Sequence, residues 1–302
     1  MALSHSPAIA MNKHFKEFLF KNSLLICAMV SLAGLAAIVW FLFQEGLPVF
    51  KHVSIKDFLT GIDWYPTENP PSFQILPLIA GSLAVTLCAS AIAIPLGIIT
   101  AIYLSHIASP KVRAFFKPCI ELLAAFPSVI IGFIGMVVLA PFLQKITGAP
   151  TGLNVLNASI LLALMALPTI CTISEDALRA VPNHMKEASL AVGATDWETL
   201  TKITLPGAAS GISTAVMLGM SRVIGETMVV LMAAGGAAII PETFFDPARP
   251  LPAAIVAEMA EAPFRSSHYH ALFATGIVLF LFTFAFNLFA FKMSKKFKLQ
   301  AS

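Results

Sequence analysis

Apolar residues in this chain come in runs of about twenty positions or more, separated by polar segments. A helix of that length crosses a hydrocarbon layer of roughly 30 Å, so each run predicts a membrane span rather than a helix inside a soluble core. Six runs stand out, at 23–43, 75–104, 122–143, 155–174, 208–236 and 271–291. The polar tail 1–22 precedes the first run, and a basic tail, 292–302, follows the last. A cleavable signal would need a shorter apolar stretch and small residues at a cut site, so the first run predicts an uncleaved anchor. Segment 44–74, with Trp64, Pro66, Pro70 and Pro71, predicts a loop. The remaining five runs define a core at 75–291, interrupted by a polar loop at 175–206.

Composition sharpens this picture. Of 302 residues 58% are hydrophobic and 12% charged, with a mean hydropathy of +0.84. A soluble domain is roughly half apolar and a quarter charged. The expected fold class is therefore an all-α membrane protein. Cys27, Cys88, Cys119 and Cys171 have no paired or metal-ligand spacing and read as small apolar residues. No basic stretch interleaved with aromatic residues points to nucleic acid.

Charge placement sets the expected orientation. Lys and Arg flanking alternate ends of the spans divide thirteen to five, with Arg222 inside the fifth run. The richer side holds Lys13, Lys16 and Lys21, then Lys111, Arg113 and Lys117, then Arg179, Lys186 and Lys202, and the C-terminal lysines. Cytoplasmic loops carry the excess of basic residues, which predicts both termini and the 175–206 loop in the cytoplasm. Pro77, Pro95, Pro127 and Pro168 interrupt the runs. In lipid such interruptions survive only where neighbouring helices or a cavity bond the freed backbone.

The 175–206 loop carries a spaced motif. It reads Glu187-Ala188-Ser189, three residues, Gly193, nine residues, then Ile203-Thr204-Leu205-Pro206. This predicts two short helices: one ended by Gly193 at positive φ, the other capped by Asp196, with Pro206 in the first turn of the next span. The string resembles the EAA signature of binding-protein-dependent ABC importers, Glu-Ala-Ala, three residues, Gly, nine residues, Ile, any residue, Leu-Pro. It departs only at Ser189, small for small. Any loop of this length can fold into surface helices; the spacing is what favours a docking element. The resemblance implies the type I importer permease fold, with the loop inserting into a cleft on a separate ATPase. No G-x-x-x-x-G-K-[ST] loop occurs in the chain.

Further stretches narrow the resemblance to the permeases of bacterial phosphate importers, the PstC family in particular, with the sister PstA family close to it. They are Phe58-Leu59-Thr60-Gly61 with Trp64 and Pro66, Ile75-Leu76-Pro77-Leu78-Ile79 before Gly81-Ser82-Leu83, and Pro95-Leu96-Gly97 before Ala101-Ile102-Tyr103-Leu104. Glu121-Leu122-Leu123-Ala124-Ala125-Phe126-Pro127-Ser128 and Gly225-Glu226-Thr227-Met228 continue the series in order. The family implies as partners a PstA-like second permease, a dimer of ATPase subunits carrying ATP and Mg, a periplasmic phosphate-binding protein and a regulator of the PhoU type. No cofactor is expected on this chain itself.

Arg222 falls midway along the fifth run, where an ionisable side chain is costly and faces protein or a watery path. Glu226, four residues on, is expected one turn away on the same face. Arg222 can hold two oxygens of an oxyanion, and Glu226 can steady it and accept a hydrogen bond from a protonated phosphate oxygen. The alternative is a structural ion pair between the two. Glu121 is expected at the N-terminus of the third span. Gly219, Ser221 and Gly225 would admit a close helix neighbour. The histidines are expected outside the spans, with His268 and His270 solvated in an outer loop, 237–270. That loop is expected to face the binding protein or the second permease. A permease for another oxyanion remains open. An autonomous transporter should show internal repeats, and an intramembrane enzyme a nucleophile and base or metal ligands within spans; neither is apparent.

Overall fold

Where water is absent, a backbone keeps its amide groups bonded most simply by closing every bond inside a helix. The computed structural model, which describes residues 7–300 and side chains over 17–292, is built this way. Among the described residues six helical segments are long and apolar enough to cross a membrane: Glu17–Lys51, Leu76–Ile107, Ser128–Thr147, Val155–Ala180, Asp196–Ile224 and Ser267–Lys292.

The centre of the bundle is α7 (Val155–Ala180), packed between α3 (Leu76–Ile102) and α10 (Leu205–Ile224). Two glycines let these three helices approach. A Cβ on Gly97 of α3 would lie 2.7 Å from Ile170 Cγ2, and one on Gly219 of α10 would lie 2.5 Å from Ile170 Cγ1. Ile170, 1% exposed, is thus wedged between two bare backbones. Gly211 meets Ala177 in the same way, which fixes α10 antiparallel to α7. On its other side α10 packs against α13 (Ser267–Gln300), and α13 carries α1 (Pro7–Gly46) on its flank. The apolar stretch of α1 buries nothing within the chain, as expected of a helix whose solvent is lipid.

Prolines shape the spans in two ways. Pro95 and Pro168 lie inside α3 and α7, which continue through them. Pro141 and Pro206 each follow a wide π-helical turn, Gly135–Leu139 and Leu200–Thr204. Proline supplies no amide and its ring collides with the carbonyl four residues back. Widening the preceding turn moves that carbonyl aside, so α5 (Ser128–Ile134) runs on into α6 (Ala140–Thr147), and α9 (Asp196–Thr199) into α10.

The third and fifth spans differ from expectation. The run at 122–143 is broken at Phe126 and Pro127, both extended, which separates α4 (Pro110–Ala125) from α5. Pro127 disfavours helix at Phe126 and cannot donate, so the helix stops there. Glu121 consequently lies near the C-terminal end of α4, not at a helix start. The run at 208–236 is cut after Ile224, and a short α11 (Met228–Ala233) packs against α5.

Segment 44–74 is also more ordered than a loop. Leu47–Lys51 forms a 3-10 turn, α2 (Ile55–Thr60) is capped by Ser54, and β1 (Trp64–Tyr65) pairs antiparallel with β2 (Ser72–Phe73). Phe58, Trp64 and Phe73 are buried against Leu251 and Leu272. The Trp64 indole donates to both oxygens of Glu258 at 3.0 and 3.1 Å, on α12 (Leu251–Met259). Glu258 also holds Arg249 at 2.5 Å and His268 Nε2 at 2.9 Å. His270 Nδ1 lies 2.7 Å from the Glu45 carbonyl. These partners overturn the expectation of solvated histidines: both sit in the first turn of α13, where Glu258 of α12 holds His268 and Glu45 of α1 holds His270.

The wedge at Ile170 is directly testable. Gly219→Val should lower thermal stability in detergent by an overpacking cost of about 1–3 kcal/mol. The added Ile170→Ala change should recover part of it. Stability unmoved by Gly219→Val would contradict the close approach.

Candidate functional site

Helix α10 stops partway across the bundle. Gly219 contacts Ile170 and the Ala166 carbonyl, residues that flank the middle of α7. Arg222, three positions further and in the last turn of α10, therefore lies at mid-bundle depth. The chain turns at Gly225, passes Glu226 and Thr227, and resumes as α11. The expectation that Glu226 lies one turn from Arg222 on a shared helix face is corrected here, because the helix ends between them.

What Glu226 does instead is cap the second half. Its Oε1 accepts from the Met228 amide at 3.2 Å and the Val229 amide at 3.5 Å, donors that α11 cannot satisfy within itself. A carboxylate at a helix N-terminus is also favoured by the partial positive charge there. Arg222 is exposed on the face it shares with Leu218, and among the described residues it has no ion-pair or hydrogen-bond partner. The structural Arg222–Glu226 pair is not formed.

The break is supported from behind by Asn157, fully buried in α7. Its amide nitrogen donates to the Gly135 carbonyl at 3.3 Å and the Ala233 carbonyl at 3.2 Å. One carbonyl belongs to the π turn and the other to the last residue of α11. Beyond α11, Gly235 and Gly236 turn at φ +93 and +70, and the Ala248 amide donates to the Ala234 carbonyl at 2.8 Å. Asn157 was absent from the sequence-based set, although an amide inside an apolar run is a readable sign of an interhelical bond.

At the other end of the bundle lies the motif segment. Glu187, Ala188 and Ser189 fall in α8 (Asn183–Ala191), and Gly193 follows at φ +87 with open space around its α-carbon. The Gly193 amide donates to the Leu190 carbonyl and the Ala194 amide to the Ser189 carbonyl, closing the helix end. Thr195, not Asp196, caps α9, with Glu198 completing a reciprocal capping box. A threonine three positions before a glutamate is the better cap, and it displaces Asp196 into the first turn. Ser189 Oγ lies 2.9 Å from Thr199 Oγ1, so the one departure from the motif joins α8 to α9. Ile203 and Leu205 are half-buried and Pro206 is exposed, where the π turn gives way to α10. Leu190, Val192 and Trp197 form an uncovered apolar crest, with Val192 86% and Trp197 69% exposed.

Glu175, also missed because the fourth run was ended at Ser174, anchors this end. It is 1% exposed and pairs with Arg113 at 2.6 Å and Lys117 at 2.9 Å, fastening α4 to α7. Desolvation alone would lower the Lys117 pKa, but hydrogen bonds to Glu175 and Asp176 and the charge of both carboxylates outweigh it and raise it.

Comparison with known proteins agrees with this architecture. A family model described as the binding-protein-dependent transport system inner membrane component matches residues 93–298. A probable ABC transporter permease protein, YqgH of Bacillus subtilis, is 39% identical over 92% of this chain and 90% of its own length. The phosphate transport system permease proteins PstC of Pasteurella multocida and Mesorhizobium japonicum are 31% and 34% identical. They cover 90% and 86% of this chain, and 90% and 83% of their own lengths. Among solved structures, a chain of a bacterial ABC transporter that imports the polysaccharide alginate aligns with a TM-score of 0.61 and 17% identity, covering 94% of this chain and 99% of that one. A chain of the MetNI methionine transporter aligns at 0.55 and 21%, covering 74% and 94%. At such identities the likeness concerns fold alone. Permeases of this kind work with a second permease, an ATPase and a binding protein. The chain therefore belongs to the binding-protein-dependent ABC importer permease family, and is a multi-pass inner-membrane subunit of a type I importer rather than an enzyme.

Proposed function

We propose that this chain is the PstC-like permease of a bacterial phosphate importer and forms half of its translocation pathway. The observation that carries this reading is Arg222, a guanidinium without a partner at an interrupted helix in mid-bundle. An unpaired charge at that depth is stable only beside water or an arriving counter-ion. Its planar fork can take two oxygens of a phosphate. Glu226 Oε1 is engaged with two amides, which leaves Oε2 to accept from a protonated phosphate oxygen. Fully ionised sulfate has no such proton to offer. The relatives named PstC support phosphate as the ion.

In this reading both termini and the α8–α9 element face the cytoplasm, in line with Arg113, Lys117, Arg179 and Lys186 gathering at that end. Burial of Leu190, Val192 and Trp197 in a cleft on the ATPase would supply hydrophobic docking energy. The ATPase dimer carries ATP and Mg. A PstA-like permease supplies the facing half of the path, a phosphate-binding protein delivers from outside, and a PhoU-type regulator acts on the assembly.

Arg222→Gln in the assembled importer should reduce phosphate uptake about tenfold or more, the worth of a charge-assisted contact, with subunit assembly intact. Normal uptake would remove Arg222 from the path, and failed assembly would make its role structural. Gly193→Val, at a positive φ that costs a side chain about 1–2 kcal/mol, should weaken stimulation of ATP hydrolysis by phosphate-loaded binding protein. Unchanged stimulation would exclude α8–α9 as the coupling element.

A further inference from the structure

A second concentration of positive charge lies away from the pathway. At the α8 end of the bundle a recess of about 340 Å³ opens between the end of α3, the start of α4, the end of α7 and the first turn of α8. Its polar wall is made by Ser105, Arg113, Arg179, Asn183 and Lys186. Behind the wall stands the buried carboxylate of Glu175, 2.6 Å from Arg113 and 3.8 Å from Arg179. Asp176 is turned to Lys117, at 3.2 Å, and does not line the recess.

The charges do not balance. Three cations line the cavity against one carboxylate, and Lys117 draws on that carboxylate as well. Lys186 is half-buried and, among the described residues, has no hydrogen-bond or ion-pair partner. Arg113 Nε is buried with no acceptor. Donors held out of water without acceptors are costly, so the recess favours an anion with several oxygens. The first turns of α4 and α8 both open onto it through Pro110 and Asn183, adding the partial positive charge of two helix N-termini. Tyr103 and Ile107, in the same turn as Ser105 at the end of α3, and Phe116, three residues beyond Arg113 on α4, are exposed apolar side chains on the segments that form the recess.

We propose that this recess binds the phosphate group of an anionic phospholipid from the adjoining leaflet, with Arg113, Arg179 and Lys186 on its oxygens and the acyl chains along Tyr103, Ile107 and Phe116. Basic pockets between membrane helices are suited to such headgroups. Because Lys186 and Asn183 belong to α8, and the two arginines to α4 and α7, the bound headgroup ties the motif helix to the spans. The proposal is independent of which ion the importer carries. Free inorganic phosphate has the same chemistry, and the test separates the two sources.

The complete importer is reconstituted in nanodiscs of phosphatidylcholine with phosphatidylglycerol, extracted, and its retained lipids counted by native mass spectrometry. Lys186→Gln and the double change Arg179→Gln with Lys186→Gln are compared with wild type and with Lys186→Arg. Lys186 has no partner to lose, so its replacement leaves the fold intact, and co-elution of the subunits checks this. Wild type and Lys186→Arg should each retain a phosphatidylglycerol that Lys186→Gln holds about tenfold less well, the loss of one charge-assisted contact. Equal retention in all forms would overturn the site. Labelled inorganic phosphate is tested in discs of phosphatidylcholine alone, on an Arg222→Gln background. Phosphate binding there that depends on Lys186, without any phosphatidylglycerol retention in the first arm, would overturn the lipid source.

Discussion

A helix interrupted inside a non-aqueous layer must find a partner for every amide and carbonyl the interruption frees. The rest of this molecule is arranged around one such interruption, at Gly225–Thr227. The Glu226 carboxylate accepts from the amides that begin α11, Asn157 donates to the carbonyl that ends it, and Ala248 closes the turn beyond. With these bonds in place α10 can end at mid-depth, and the side chain at its end, Arg222, can stand clear of its own helix. Without them an unbroken fifth span would carry Glu226 past Arg222 on one face, and the two charges would neutralise each other. The break is thus what keeps the arginine available.

Rigidity on the other side of the break comes from α7. Ile170 locks α3 and α10 to it through two glycines, and Glu175 locks α4 to it through Arg113 and Lys117. α10 in turn is continuous through the π turn with α9, which Ser189 and Thr199 join to α8. A displacement passed from α8 to α9 is therefore carried along one continuous helix to the neighbourhood of Arg222. In the proposed function this is the route by which work at the ATPase reaches the path.

The number and order of spans were legible because run length alone decides whether a segment crosses a membrane. The motif helix was legible for a different reason: only glycine sits easily at φ +87, and Gly193 announces that turn. Hydropathy could not show where the spans break, since Phe126-Pro127 and Gly225-Glu226-Thr227 are each too short to interrupt an averaged apolar run. Periodicity misplaced Glu226 for the same reason, because four-residue spacing has meaning only while the helix lasts. The hairpin around Trp64 and Phe73 was hidden by its prolines. The burial of His268 and His270 depended on Glu258 and Glu45, distant in sequence and silent about their partners.

The central claim is that Arg222 faces an aqueous pathway rather than lipid or packed protein, and one measurement addresses it directly. In the assembled importer with its native cysteines replaced, Arg222→Cys is exposed to a charged thiol reagent that does not enter lipid, with Ala215→Cys, buried on the same helix, as reference. The account predicts rapid modification at 222 and none at 215, with phosphate and its binding protein slowing the reaction at 222. An unreactive thiol at 222 in every nucleotide state would contradict it.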